Sequence, residues 1–275
     1  MKSRISLLGF AIAAAAPAVM SAQAAPQLLT IGIESVKPGK GWPHDKLEAA
    51  WASAQVATAP KYGFLAMKSM SGPAQVWYAS LRSSWADLEK SNTTNTPAQD
   101  AVDARFRPQE SELLSDTRDL ILARVDSLGY GQARDIAQMR YMSVTRVSVR
   151  AGHYDEWAEA RMVAKHAHEA AHLTDEYSIW RVVAGAPAGT FYQFSARKSL
   201  AELDETGTIH GPAYQAAIGA EGQKKLDAAQ ANAVTASQVD QFAFVPAQSV
   251  MSAEMTKSDP AYWAHKPAAK AVKKP

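Results

Sequence analysis

The residues best placed for chemistry are His168-Glu169-Ala170-Ala171-His172, a His-Glu-x-x-His pattern inside a helical run. In zinc hydrolases two histidines one helical turn apart bind the metal, and the glutamate between them activates a water. His166 precedes the motif, so three of the chain's seven histidines fall together. The helical apolar stripe is Trp157, Ala160, Ala164, Ala167 and Ala171, which puts His168 and His172 along one flank and His166 nearly opposite. His172 is followed by Leu173-Thr174-Asp175-Glu176 rather than by a Gly-x-x-His continuation, so a third ligand has to come from elsewhere, with Glu202 and Glu205 available. The competing reading is that these are polar flank residues of an amphipathic helix.

A second group lies on two matched strands. Tyr78, Ser80 and Arg82 share one face of the first, and Gln193, Ser195 and Arg197 share one face of the second. Ser and Arg at equivalent places suit a carboxylate or other anion, which a guanidinium grips with two parallel hydrogen bonds. These six are the expected ligand-binding residues, with Lys68, Arg146 and Arg181 close enough to join them. The opposite face (Trp77, Ala79 and Leu81; Tyr192, Phe194 and Ala196) reads as core beneath helices. Arg82 and Arg197 could instead simply mark strand ends, reaching solvent or a structural carboxylate such as Glu34. Other chemistries drop out. The absence of cysteine removes disulfides, thiolate zinc sites, iron–sulfur clusters and a Cys nucleophile. Gly-rich phosphate loops and a Gly-x-Ser-x-Gly elbow are missing as well.

The elements that must position these residues occur twice. Val36-Lys37-Pro38-Gly39 and Val149-Arg150-Ala151-Gly152 each end an alternating strand and open a helix. Strands at Gln75–Arg82 and Thr190–Arg197 each precede a matching helical segment, Ser84–Glu89 and Ser199–Asp204. The first unit reads as strand Leu28–Val36, helix from Pro43 to Pro60, hairpin strands Tyr62–Met70 and Gln75–Arg82, helical material from Ala98 to Asp116, and strand Leu120–Val125. The second reads as strand Tyr141–Val149, helix Tyr154–Leu173, strands Glu176–Ala184 and Thr190–Arg197, helical material from Pro212 to Thr235, and strand Val239–Val245. Gly129-Tyr130-Gly131 is the expected link. The expected fold is therefore α+β, with two tandem ferredoxin-like βαββαβ repeats packed sheet to sheet.

In element order and in the Val-x-x-Gly turn, the chain resembles the dimeric α/β-barrel superfamily, in the tandem form of NIPSNAP-like, EthD-like and antibiotic-biosynthesis-monooxygenase-like proteins. The resemblance covers most of residues 28–247 and implies an intramolecular barrel with a cavity that holds a small molecule. It carries no catalytic residue across. Tandem chains similar to chlorite dismutases hold haem through one histidine of the second repeat, so the His-rich helix makes haem a cofactor alternative beside zinc and beside no cofactor at all. Two function classes follow. One is an exported binding protein for a small anionic or amphipathic ligand. The other is an enzyme in the same cavity, either haem-dependent or a cofactor-free, monooxygenase-like oxidoreductase, with a zinc hydrolase as a further form.

Residues 1–24 have the basic start (Lys2, Arg4), short apolar run and Ala22-Gln23-Ala24 ending of a secretory signal, with cleavage expected after Ala24. That places the mature chain in the periplasm or outside the cell, with no transmembrane segment left after cleavage. The expected division is signal 1–24, first repeat 25–130, second repeat 131–250 and a flexible Ala/Lys/Pro-rich tail 251–275. The formal charge of +2 hides an asymmetry. Lys2, Arg4 and the tail residues Lys266, Lys270, Lys273 and Lys274 hold six of the 29 positive charges, so the body carries 23 against 27 acids, about −4. That balance disfavours nucleic acid, which needs a basic face. The expected partner is a small molecule; self-association into a homo-oligomer stays open.

Overall fold

Alternation in the sequence becomes strands whose two faces meet different surroundings. In β1 (Leu28–Val36) the side chains of Leu29, Ile31 and Ile33 are buried together, while Glu34 points the other way. The structure is a computed structural model that describes residues 28–132 and 134–264. The expected signal over 1–24 and the end of the expected tail, 265–275, lie outside the described residues.

After β1 come α1 (Gly41–Ala57), β2 (Leu65–Ser69), β3 (Gln75–Arg82), α2 (Trp85–Asn92), α3 (Pro97–Ser111) and β4 (Leu114–Arg124). A linker with two short 3-10 turns leads to β5 (Tyr141–Val149), α4 (Tyr154–Ala170), β6 (Ser178–Ala184), β7 (Thr190–Arg197), α5 (Ala201–Glu205), α6 (Gly211–Asn232) and β8 (Val234–Phe244). Two short helices, α7 (Ala253–Ser258) and α8 (Pro260–Trp263), finish the described chain. Gly39 and Gly152, at φ 75° and 83°, make the left-handed turns that lead into α1 and α4, a conformation that glycine adopts without steric cost. Thr96 starts α3 through a reciprocal cap: its hydroxyl accepts from the Gln99 N–H, and the Gln99 side chain accepts from the Thr96 N–H.

The eight strands close into one antiparallel barrel in the order β1-β3-β2-β8-β5-β7-β6-β4. In the first half β1 pairs with β3 and β4, and β2 with β3; in the second β5 pairs with β7 and β8, and β6 with β7. The halves meet along β2–β8 and β4–β6. Closure leaves no free strand edge. The barrel interior is an apolar core drawn from both halves, with Ile31, Ile33 and Leu122 facing Val144, Tyr192 and Phe242. No described helix is long and apolar enough to cross a membrane.

Three expectations need correction. Residues 251–264 of the expected flexible tail are packed: Trp263 is 2% exposed, joins the barrel core and donates from Nε1 to the Ala137 carbonyl at 2.6 Å. The helix expected to run to Leu173 ends at Ala170, and His172 adopts a left-handed φ of 49°. The faces of β3 and β7 are reversed. Trp77 on β3 meets Tyr192 on β7 and Phe242 on β8, at 5.9 and 4.6 Å between ring centroids, so the Trp77 and Tyr192 faces fill the barrel. The Tyr78 and Gln193 faces look outward to the helices. The physical reason is that both faces of these strands are covered, and the more apolar face takes the drier interior.

Candidate functional site

One end of the barrel interior is incompletely filled. A cavity of about 380 Å³ opens there, with walls from both halves: Met67 and Ala79 on one side, Met142, Trp180 and Phe194 on the other. Met251 and Met255, from the segment after β8, complete the wall. Four methionine side chains make this lining unusually adaptable in shape. Polar groups gather at the rim. Arg134 donates to Glu176 (3.1 Å), Glu202 (2.5 Å) and the carbonyls of Ala196 and Thr174. Arg124 pairs with Asp126 at 2.6 Å. Both guanidinium groups at the mouth therefore already hold carboxylates, and what the cavity offers a ligand is mainly apolar surface.

The six residues expected to bind an anion do not converge. Strands β3 and β7 lie opposite each other in the barrel, and most of these side chains project outward. Tyr78 donates to Glu48 on α1 at 3.0 Å, and Gln193 accepts from Arg161 on α4 at 2.8 Å. The Ser80 hydroxyl donates to the Gly63 carbonyl, and Arg82 donates to Ser80 at 2.5 Å and sits 4.6 Å from the Tyr62 ring centroid. Ser195 is buried beside Ser143 across the β5–β7 register, and Arg197 donates to the Ser143 hydroxyl at 3.2 Å. Burial holds both guanidinium groups below their usual pKa. Ser80 alone of the six also lines the barrel cavity.

The His-Glu-x-x-His segment does not present its two histidines as a pair on one helix face either. Because the helix ends before His172, the two imidazoles are not a helical turn apart on one face, and His172 and Glu169 are exposed. His168 bonds through Nδ1 to the Ala164 carbonyl at 2.8 Å, and its Nε2 lies 3.9 Å from Asp175. Rings of Tyr130, Tyr177 and Tyr214 surround it at 5.1, 5.3 and 4.8 Å. That enclosure does not fit a haem ligated through His168, and no histidine lines the barrel cavity. Substituting His168→Gln together with His172→Ala should leave zinc content and zinc-induced thermal shift unchanged; loss of either would restore the motif as a metal site.

Sequence reading missed a third cluster, on the outer face of the first half's sheet. His44 and Glu48, one turn apart on α1, meet Glu34 of β1, and the His44 Nε2 to Glu34 Oε2 distance is 2.8 Å. Possible ligand atoms of these three residues lie within 4.8 Å of one another. Burial, with the charges of Glu34 and Glu110 adding to it, pushes the Glu48 carboxyl up to about 8. Glu110 on α3 rises to about 7, by burial and its hydrogen bond to Glu34. The legible signal was the His-x-x-x-Glu spacing in α1, with His44 five residues after the Gly39 turn that follows a strand glutamate.

No protein-family model matches the chain, and no curated protein matches it. Solved structures do. A putative monooxygenase from Fusobacterium nucleatum is 9% identical, with 81% of this chain and 94% of that one covered at a TM-score of 0.53. An anthrone oxidase-like protein is 14% identical, covering 80% and 92% at 0.50. A mutant chlorite dismutase from Candidatus Nitrospira defluvii is 8% identical, covering 85% and 95% at 0.49. At these identities the likeness concerns the fold alone, a closed α+β barrel.

Proposed function

We propose that the chain is an exported two-repeat barrel that binds a small, largely apolar or amphipathic molecule in the cavity at one barrel end. The observation that carries this reading is the cavity itself, apolar inside, polar only at its rim, and walled by both halves. Ligand pockets typically have this character: an apolar body with a few polar groups at one side to fix orientation. The rim arginines are tied to carboxylates, which argues against a bare inorganic anion and for a ligand whose apolar body fills the cavity. The matching strand pairings of residues 28–124 and 141–244 support the repeat reading, and the leader supports export to the periplasm or beyond.

The enzyme alternative uses the same cavity. Two fold relatives carry oxidation in their names, a putative monooxygenase and an anthrone oxidase-like protein. Filling the cavity tests both readings. Ala196→Phe should abolish quenching of Trp180 fluorescence by a small aromatic probe such as 1-naphthol while leaving the unfolding transition cooperative. Undiminished quenching in a folded variant would overturn the cavity reading. Consumption of 1-naphthol with oxygen uptake by the wild-type chain, absent in Ala196→Phe, would decide for an enzyme.

A further inference from the structure

We propose that Glu34, His44 and Glu48, joined by Glu110 from α3, bind a divalent first-row transition-metal cation on the outer face of the first half's sheet. The donor set is one imidazole and carboxylates from three separate elements. Donor atoms around a tetrahedral ion with bonds of ~2.1 Å lie roughly 3.4 Å apart. The existing separations, none above 4.8 Å among Glu34, His44 and Glu48, close to that spacing by side-chain adjustment alone. An imidazole donor favours zinc or iron over magnesium and calcium, which prefer all-oxygen shells.

The surroundings also point to a ligand. His44 is fully buried, its Nε2 turns to Glu34, and its Nδ1 has no partner among the described residues. The ring nitrogen that faces the carboxylates is Nε2, and a cation among them would replace its hydrogen bond to Glu34. No Lys or Arg bridges Glu34, Glu48 or Glu110 among the described residues, so carboxylates outnumber the single imidazole. Tyr78 holds Glu48 in orientation from the sheet side, an outer partner of the kind that positions metal ligands. A cleft of about 800 Å³, lined by Glu34, Glu48 and Glu110, gives a cation access from solvent.

The second half shows that the fold does not require this cluster. Val36 and Val149 occupy the same place, each just past the register shift of its outer pairing. Counting from them, Glu34, His44 and Glu48 correspond to Val147, Trp157 and Arg161, and Tyr78, which pairs with Gly32, corresponds by register to Gln193, which pairs with Thr145. There Trp157 packs on Phe191 at 4.4 Å with Val147 alongside, and Arg161 simply bonds Gln193. Ordinary packing closes that location, whereas the first half places a buried imidazole among acids. This comparison rests on the two-repeat reading; the donor geometry does not.

The test is titration of the metal-stripped full chain with Co2+ and Zn2+. One equivalent of Co2+ should give visible d–d bands, and Glu48→Gln and His44→Gln should each weaken binding by about tenfold or more, with His168→Gln without effect. In the wild-type chain labelled at histidine nitrogens, Zn2+ should shift one buried imidazole, that of His44. This readout stands even if a variant fails to fold. No d–d bands at millimolar Co2+, equal affinity in the folded variants, or Zn2+ shifts confined to the exposed histidines would overturn the proposal, while leaving the barrel-cavity reading standing.

Discussion

Replacing Trp263 by alanine is expected to remove about 3–5 kcal/mol of stability, the range for deleting a large buried aromatic side chain. The indole is 2% exposed at the end of the barrel, against Phe244 at 6.2 Å and Tyr262 at 4.8 Å between ring centroids. Its deletion leaves a void in a core assembled from both halves and leaves the Ala137 carbonyl only a long hydrogen bond from Arg140, at 3.4 Å. Trp263→Phe separates the two effects, since losing mainly the hydrogen bond should cost about 1 kcal/mol. The segment is anchored independently by the Arg140–Asp259 ion pair and by Gln138 donating to Ser258 at 3.0 Å. Those contacts keep the backbone near its place, so the void cannot simply collapse. Chemical denaturation of the three proteins measures the difference; a Trp263→Ala loss below about 1 kcal/mol would show that the end segment is not part of the core.

The second large effect is a dependence on pH. In the metal-free folded chain the Glu48 carboxyl titrates near 8, against 4.5 for the ordinary side chain. Between those values the folded state keeps a proton that the unfolded state releases. The resulting stabilisation is fully present below 4.5 and is lost as pH rises through 8. At about 1.4 kcal/mol per unit, the loss is on the order of a few kcal/mol, and Glu110 adds to it in the same direction. Glu48→Gln, neutral throughout, should match the wild-type chain near pH 5 and exceed it in stability near pH 8.5. The comparison cancels carboxylates held below their ordinary range elsewhere, such as Asp87 and Glu156. Denaturation curves in EDTA across that range provide the check, and a stability difference that does not change with pH would refute the burial of an uncompensated acid.

Much of the architecture was legible from alternation. Strands β1, β3, β5 and β7 fall within the bounds that their alternating residues suggested, because half of each strand had to be apolar to fill the barrel. Which half faced inward was not legible. Both faces of a barrel strand under helices are covered, so periodicity assigns Tyr78, Ser80 and Arg82 to one side without saying which side is dry. The polar starts of β4 and β8 hid for another reason: residues such as Asp116 and Gln238 are held in strand by pairing with β1 and β5, not by their own apolar character. The His-Glu-x-x-His pattern misled because five residues do not reveal where a helix stops. The Glu34–His44–Glu48 cluster was half visible: helical spacing joins His44 to Glu48, but the approach of Glu110 depends on how α3 packs over the sheet.

The two seams of the barrel also set the order in which this protein can be made. Closing β2 on β8 requires residues 67–69 to find 242–244, among the most distant pairings in the chain, whereas each half builds the rest of its sheet from strands within its own span. Loop-closure entropy makes such remote contacts slow to form. The β2–β8 seam is thus expected to seal last, whereas β4 and β6 are nearer in sequence than β1 and β4 and can pair earlier. The binding cavity takes its walls from across those seams, so it comes into being only at that final step. A nascent or half-length chain would hold the acidic cluster of the first half but could not yet hold a ligand in the barrel.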